Sequence, residues 1–98
     1  MERFPLSDSQ VEAFCRKHHI RWLALFGSVL RDDFGPESDV DVLVEFEDGH
    51  VPGFEFVRME DELSALLGGR KVDLVTSRAL SPFLRERVLR SAVPCYAA

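Results

Sequence analysis

Residues 25–46 read LFGSVLRDDFGPESDVDVLVEF. One apolar run closes on Gly27 and Ser28; after a turn-rich interval, the next opens with Asp39 and Asp41. IRWLALF, residues 20–26, is apolar at nearly every position after Arg21 and reads as a buried strand. DVDVLVEF, residues 39–46, reads as a second strand. Side chains alternate along a strand, so Asp39 and Asp41 share one face, roughly 7 Å apart, while Val40, Val42 and Val44 take the buried one. Between the strands, GSVLRDD starts a short helix, and Gly35-Pro36 breaks it.

Outward from that stretch, the chain alternates helix and strand signals. Ser7 with Gln10 makes a capping box for a helix reaching about His18, whose inner face is Val11, Phe14, Cys15 and His18. FEFVRMEDELSALL places Phe56, Met59, Leu63 and Leu66 at helical spacing, and Gly68-Gly69 stops it. KVDLVT, residues 71–76, is a third strand. LSPFLRERVLRSA forms a last helix with Ser81 as N-cap and Pro82 at its first position; Leu84 and Val88 face inward and Pro94 ends it. With no repeat or linker in the chain, this order predicts one small α/β domain over residues 1–98 with a central sheet.

The carboxylates carry the chemistry. Two like charges held so close repel unless a cation sits between them, and oxygen ligands of this kind suit Mg²⁺. Asp73 repeats the oddity, an acid among Val72, Leu74 and Val75. If its strand lies beside the second one, three carboxylates can hold two divalent ions about 4 Å apart for phosphoryl or nucleotidyl transfer. Gly27 lets backbone approach a ligand, and N–H groups at a following helix start form an anion site. Ser28 adds a hydroxyl and Arg31 a cation for a phosphate or a neighbouring acid. Each feature alone has a plainer reading: Gly-Ser as a turn, Asp-x-Asp as a solvated edge, Asp73 as a partner of Lys71 or Arg70. Their conjunction, in this order, is the chemistry of a nucleoside triphosphate.

Composition narrows the classes further. The chain has 98 residues and a net charge of −5, which argues against non-specific nucleic-acid binding. No apolar run approaches the roughly 20 residues needed to cross a bilayer, and the N-terminus lacks a signal-peptide pattern, so a cytoplasmic protein is expected. Cys15 and Cys95 have no metal-ligand spacing and are expected as free thiols.

GSVLRDDFGPESDVDVLV resembles the signature of the DNA polymerase β-like nucleotidyltransferase superfamily, and most closely its minimal nucleotidyltransferase (MNT) branch. That branch usually reads Gly-Ser-x-Ala-Arg-Gly, a short variable stretch, then Ser-Asp-x-Asp. VDLV matches the third acidic position, and SPFLRERVLRSAVPCYA resembles the branch's ending. The resemblance implies a small mixed central sheet with flanking helices, Gly27 and Ser28 on the triphosphate of ATP, and Asp39 and Asp41 on two Mg²⁺ ions. Asp73 would complete one metal site and help deprotonate the attacking hydroxyl. The implied reaction is transfer of AMP to a hydroxyl, with pyrophosphate leaving. Small members of this branch are typically antitoxins of HEPN ribonuclease toxins, and some place AMP on a tyrosine of that partner. Such a chain is expected in a hetero-oligomer, with no membrane and no direct nucleic-acid contact. Two positions depart from the pattern: Leu30 stands for alanine and Asp32 for glycine, adding bulk and negative charge beside the phosphate loop.

Those departures motivate a competing reading, the same fold neutralising a toxin by binding alone. A small-molecule transferase is disfavoured, because little chain remains to hold the second substrate. The same shortage puts the acceptor on another protein, with Phe34, Phe54 and Tyr96 as interface aromatics. Elsewhere, His18 and His19 are read as cations near a helix C-terminus, and His50 as a loop residue without a Cys or His partner. Trp22 is read as core, RMEDEL as a solvated face with local ion pairs, and RERVLR as a solvated basic face.

Overall fold

A computed structural model describes residues 6–27, 39–50 and 52–98. They form three α-helices and a four-stranded sheet: α1 (Asp8–Lys17), β1 (Ile20–Phe26), β2 (Val40–Phe46), α2 (Glu55–Leu66), β3 (Val72–Thr76), α3 (Pro82–Ser91) and β4 (Val93–Ala97), with a 3₁₀ turn at Ser77–Ala79. The sheet order is β3-β2-β1-β4. β1 runs antiparallel to both β2 and β4, and β2 runs parallel to β3, so the sheet is mixed as expected. The short helix expected after Gly27 lies outside the described residues.

Register explains the core. Leu25 pairs with Val42 and Leu23 with Val44 across β1–β2, while Val40 and Val42 pair with Val72 and Leu74 across β2–β3. These side chains therefore share one face, and all are buried. α1 covers it with Val11, Phe14 and Cys15, and α2 with Met59 and Leu63. The α1 start is closed by the expected capping box: Ser7 Oγ accepts from Gln10 N at 3.2 Å, and Ser7 N donates to Gln10 Oε1 at 3.0 Å. Gly68 and Gly69 take φ of 76° and 91° where α2 stops, a conformation other residues rarely adopt.

Several expectations are corrected. β4 is a strand where only a helix end was expected; Pro94 sits on this edge strand, where a missing N–H is tolerated. In α3 no residue is fully buried: Val88 is half-buried, but Leu84 is 45% exposed. Arg85 turns inward instead, donating from Nε to Ser77 O at 2.7 Å and from Nη2 to Leu80 O at 3.2 Å. At the end of α2, Leu67 is buried and Leu66 exposed, because Leu67 continues the i, i+4 row of Met59 and Leu63 that faces the core. Trp22 is half-buried beside Glu45, on the face opposite the core, after a bulge between Ile20 and Trp22.

The RMEDEL segment is no simple solvated face. Met59 is buried, and Glu60 Oε2 accepts the Leu74 N–H at 2.9 Å. Glu62 Oε1 accepts from Lys17 Nζ at 3.0 Å and lies 3.3 Å from His18 Nε2, tying α2 to the end of α1. Tyr96 is half-buried and packs against the core, whereas Phe54 is 97% exposed; Phe34 lies outside the described residues.

Candidate active site

The aspartates come together at one sheet end. β1 finishes beside the start of β2, because the two strands are antiparallel and Phe26 pairs with Asp41. β3 starts alongside β2, because that pair is parallel, and Asp41 is the register partner of Asp73. Strands lie about 4.8 Å apart, so the two acids are nearest neighbours on the face opposite Val40 and Val42. Both are half-buried. Asp39 immediately precedes β2, and its Oδ2 lies 3.9 Å from Lys71 Nζ. The backbone there is anchored by Val40 N donating to Lys71 O at 2.9 Å. The plainer pairing of Lys71 with Asp73 is thus replaced by Lys71 with Asp39.

Gly27 stands directly against this cluster. Its φ is +74°, and a Cβ placed on it would meet the Asp41 carboxylate, 3.1 Å from Cγ and 3.3 Å from Cβ, with Oδ2 closer still. No larger residue fits without displacing Asp41. The residue that lets the backbone turn out of β1 is therefore also the one that lets it pass beside the acid. The donor set fits a hard divalent cation: carboxylates from adjoining strands, one face, no competing sulfur or imidazole among these residues. Ser28, Arg31, Leu30 and Asp32 lie outside the described residues.

A cleft of about 410 Å³ opens at the other end of the sheet, lined by Arg21, Glu45, Glu47, His50, Ser77 and Arg78 among others. No aspartate of the trio lines it. Chemistry places the candidate active site with the aspartates, where like charges converge against a glycine, and the cleft is separate. One cluster near that cleft escaped the sequence reading: His50 does have a histidine neighbour, since its ring stacks on His19. The Asp48-Gly49 turn that returns His50 toward β1 was the available signal.

The sequence pattern of the nucleotidyltransferase domain family matches residues 7–95. The protein adenylyltransferase MntA of Thermococcus cleftensis is 41% identical over 75 residues, covering 76% of this chain and 73% of that one. A solved candidate minimal nucleotidyltransferase superposes with a TM-score of 0.73 at 41% identity, covering 89% of this chain and 87% of its own. A chain in the structure of tri-AMPylated Shewanella oneidensis HEPN toxin in complex with MNT antitoxin shares the fold, with a TM-score of 0.67 at 22% identity, covering 93% of this chain and 70% of that one.

Proposed function

Because this chain belongs to the nucleotidyltransferase domain family, we propose that its aspartate-bearing sheet end transfers AMP from ATP to a tyrosine hydroxyl of a HEPN-type toxin, and that the chain acts as the antitoxin. The observation that carries this reading is the convergence of Gly27, Asp41 and Asp73 from three strand ends.

Gly27 brings backbone close to the triphosphate without a side chain in the way. Ser28 and Arg31, next along the chain, supply a hydroxyl and a guanidinium to the phosphate oxygens. Asp39, Asp41 and Asp73 would hold two Mg²⁺ ions. When bound, these supply charge neutralisation for the triphosphate and for the departing pyrophosphate. Asp73 accepts the proton of the attacking hydroxyl. The hydroxyl oxygen forms a bond to the α-phosphorus, the α–β bridging P–O bond breaks, and its electron pair leaves with pyrophosphate.

The relatives' names support the transfer, since one is a protein adenylyltransferase and another shares its crystal with an AMP-modified HEPN toxin. Exposed Phe83, Leu84 and Leu89 on α3, and Phe54 with Val57 at the start of α2, supply apolar surface for a protein partner in a hetero-oligomer. Among the described residues no helix is long and apolar enough to cross a membrane. ATP use with free Cys15 and Cys95 fits a reducing, cytoplasmic setting.

The test is intact-mass spectrometry of the cognate toxin after incubation with this protein, ATP and Mg²⁺. A gain of one or more AMP units is expected, lost in Asp39→Asn and in Asp41→Asn. Full transfer by both variants overturns the site. Toxin neutralisation with no mass gain points to masking by binding alone.

A further inference from the structure

The far end of β2 gathers a second set of metal-ligating side chains, about 20 Å along the strand from Asp41. His19 lies in the turn between α1 and β1 with φ of 58°, a left-handed backbone that is uncommon outside glycine. Its carbonyl accepts from Glu47 N at 2.8 Å, just past the end of β2. Glu47 in turn accepts at its carbonyl from His50 N at 3.0 Å, across a turn in which Gly49 takes φ of 83°. Backbone bonds therefore set all three residues relative to one another before any side-chain contact is considered.

The side chains follow. The His19 and His50 rings stack with centroids 3.8 Å apart and planes 10° from parallel. Glu47 Oε1 lies 3.8 Å from His19 Nδ1. One ligand atom from each residue lies within 4.8 Å of the other two, and all three side chains are exposed. Glu45 and Asp48 add negative charge nearby, with Arg21 paired to both at 3.3 and 3.9 Å.

We propose that His19, Glu47 and His50 form a binding site for one divalent transition-metal ion of the zinc class, separate from the nucleotide site. Two imidazole nitrogens and one carboxylate suit Zn²⁺, Ni²⁺ or Cu²⁺ and are a poor match for Mg²⁺, which prefers oxygen throughout. A ligating imidazole holds the ion in its own ring plane, so the two exposed rings leave their stack and turn about their side-chain bonds to bring the donors onto an ion at about 2.0–2.2 Å. Such an ion joins the α1–β1 turn to the β2–α2 loop. It also stands at the cleft that Glu47 and His50 line with Arg21 and Arg78, and three protein ligands leave a position for water or a small ligand.

The test is calorimetric titration of the tag-free full chain with Zn²⁺ in excess Mg²⁺, which competes for the aspartate end. One Zn²⁺ per chain is expected, weakened at least about tenfold by His50→Gln and by His19→Asn. Asparagine is chosen at 19 because it tolerates left-handed backbone. Substoichiometric Cu²⁺ should broaden the imidazole resonances of His19 and His50 ahead of His18. Absence of zinc uptake overturns the site. So does uptake unchanged in the His19→Asn/His50→Gln double variant, or uptake lost only in Asp41→Asn or in Cys15→Ser/Cys95→Ser.

Discussion

Asp41 and Asp73 are register partners in the parallel β2–β3 ladder, so their carboxylates leave the same face of the sheet from adjoining strands. Like charges so placed cost a sheet a few tenths to about 1 kcal/mol unless a cation offsets them. Metal-free Asp73→Asn should therefore melt about 1–5 °C above the parent. Mg²⁺ should raise the parent's midpoint more than the variant's, while AMP transfer by the variant falls at least about 100-fold. Melts in chelator and in Mg²⁺ decide it: a lower metal-free midpoint for the variant removes the repulsion.

Gly27→Ala meets two penalties. Left-handed backbone costs an alanine about 1–2 kcal/mol, and its methyl runs into the Asp41 carboxylate. Loss of stability by at least that amount is expected, with loss of transfer. Urea unfolding of Gly27→Ala with and without Asp41→Ala separates the two. The penalty should shrink toward the backbone part alone once the carboxylate is gone, and equal penalties in both backgrounds would mean that Asp41 does not press on Gly27.

Glu62 ties α2 to α1 and supplies an acid-sensitive link. Partial burial opposes its ionisation, but hydrogen bonds from Lys17 and His18 outweigh this and hold its carboxyl below the usual value. A depressed folded pKa means the unfolded chain binds the proton first as pH falls. The stabilisation is present above the ordinary carboxylate range and disappears as pH drops through the folded value. Glu62→Gln should lower stability at pH 6 and flatten its decline toward pH 3, read from urea midpoints across that span. Parallel pH curves for parent and variant would exclude Glu62 as the source.

Cys15 behaves in the opposite sense on the alkaline side. Burial, reinforced by the nearby Cys95, pushes its thiol from 9.0 up to about 12. Between those values the unfolded chain holds fewer protons than the folded one, so stability falls as pH rises, by up to about 1.4 kcal/mol per pH unit. Cys15→Ala should be less stable at pH 7 yet decline less steeply above pH 9. In the native protein Cys15 should resist alkylation at pH 8 until unfolding, and rapid labelling under native conditions would contradict its burial.

Much of the candidate site was legible because its parts are local. Gly27-Ser28 after an apolar run, and Asp39 and Asp41 opening the next, are visible as breaks in hydrophobic pattern. Asp73 was visible as an acid inside an apolar strand, but only the parallel pairing of β3 with β2 sets it beside Asp41. The edge strand β4 was hidden by Pro94, which reads as a helix breaker and is tolerated because β4 lies on an edge. On α3 Arg85 takes the inward place expected for Leu84, held by carbonyls at Ser77 and Leu80 that no periodicity reveals.

By itself, the sequence determined what neighbours along the chain can settle: the Ser7 and Ser81 caps, the left-handed stops at Gly68 and Gly69, and the strand periods of 20–26 and 40–46. Which strands lie together, which helix face is covered, and that His19 meets His50 were decided by tertiary structure alone. The reason is physical. Caps and periods depend on contacts within one turn or one pleat, whereas pairing and register follow from burying a shared apolar face and closing long loops across the whole chain.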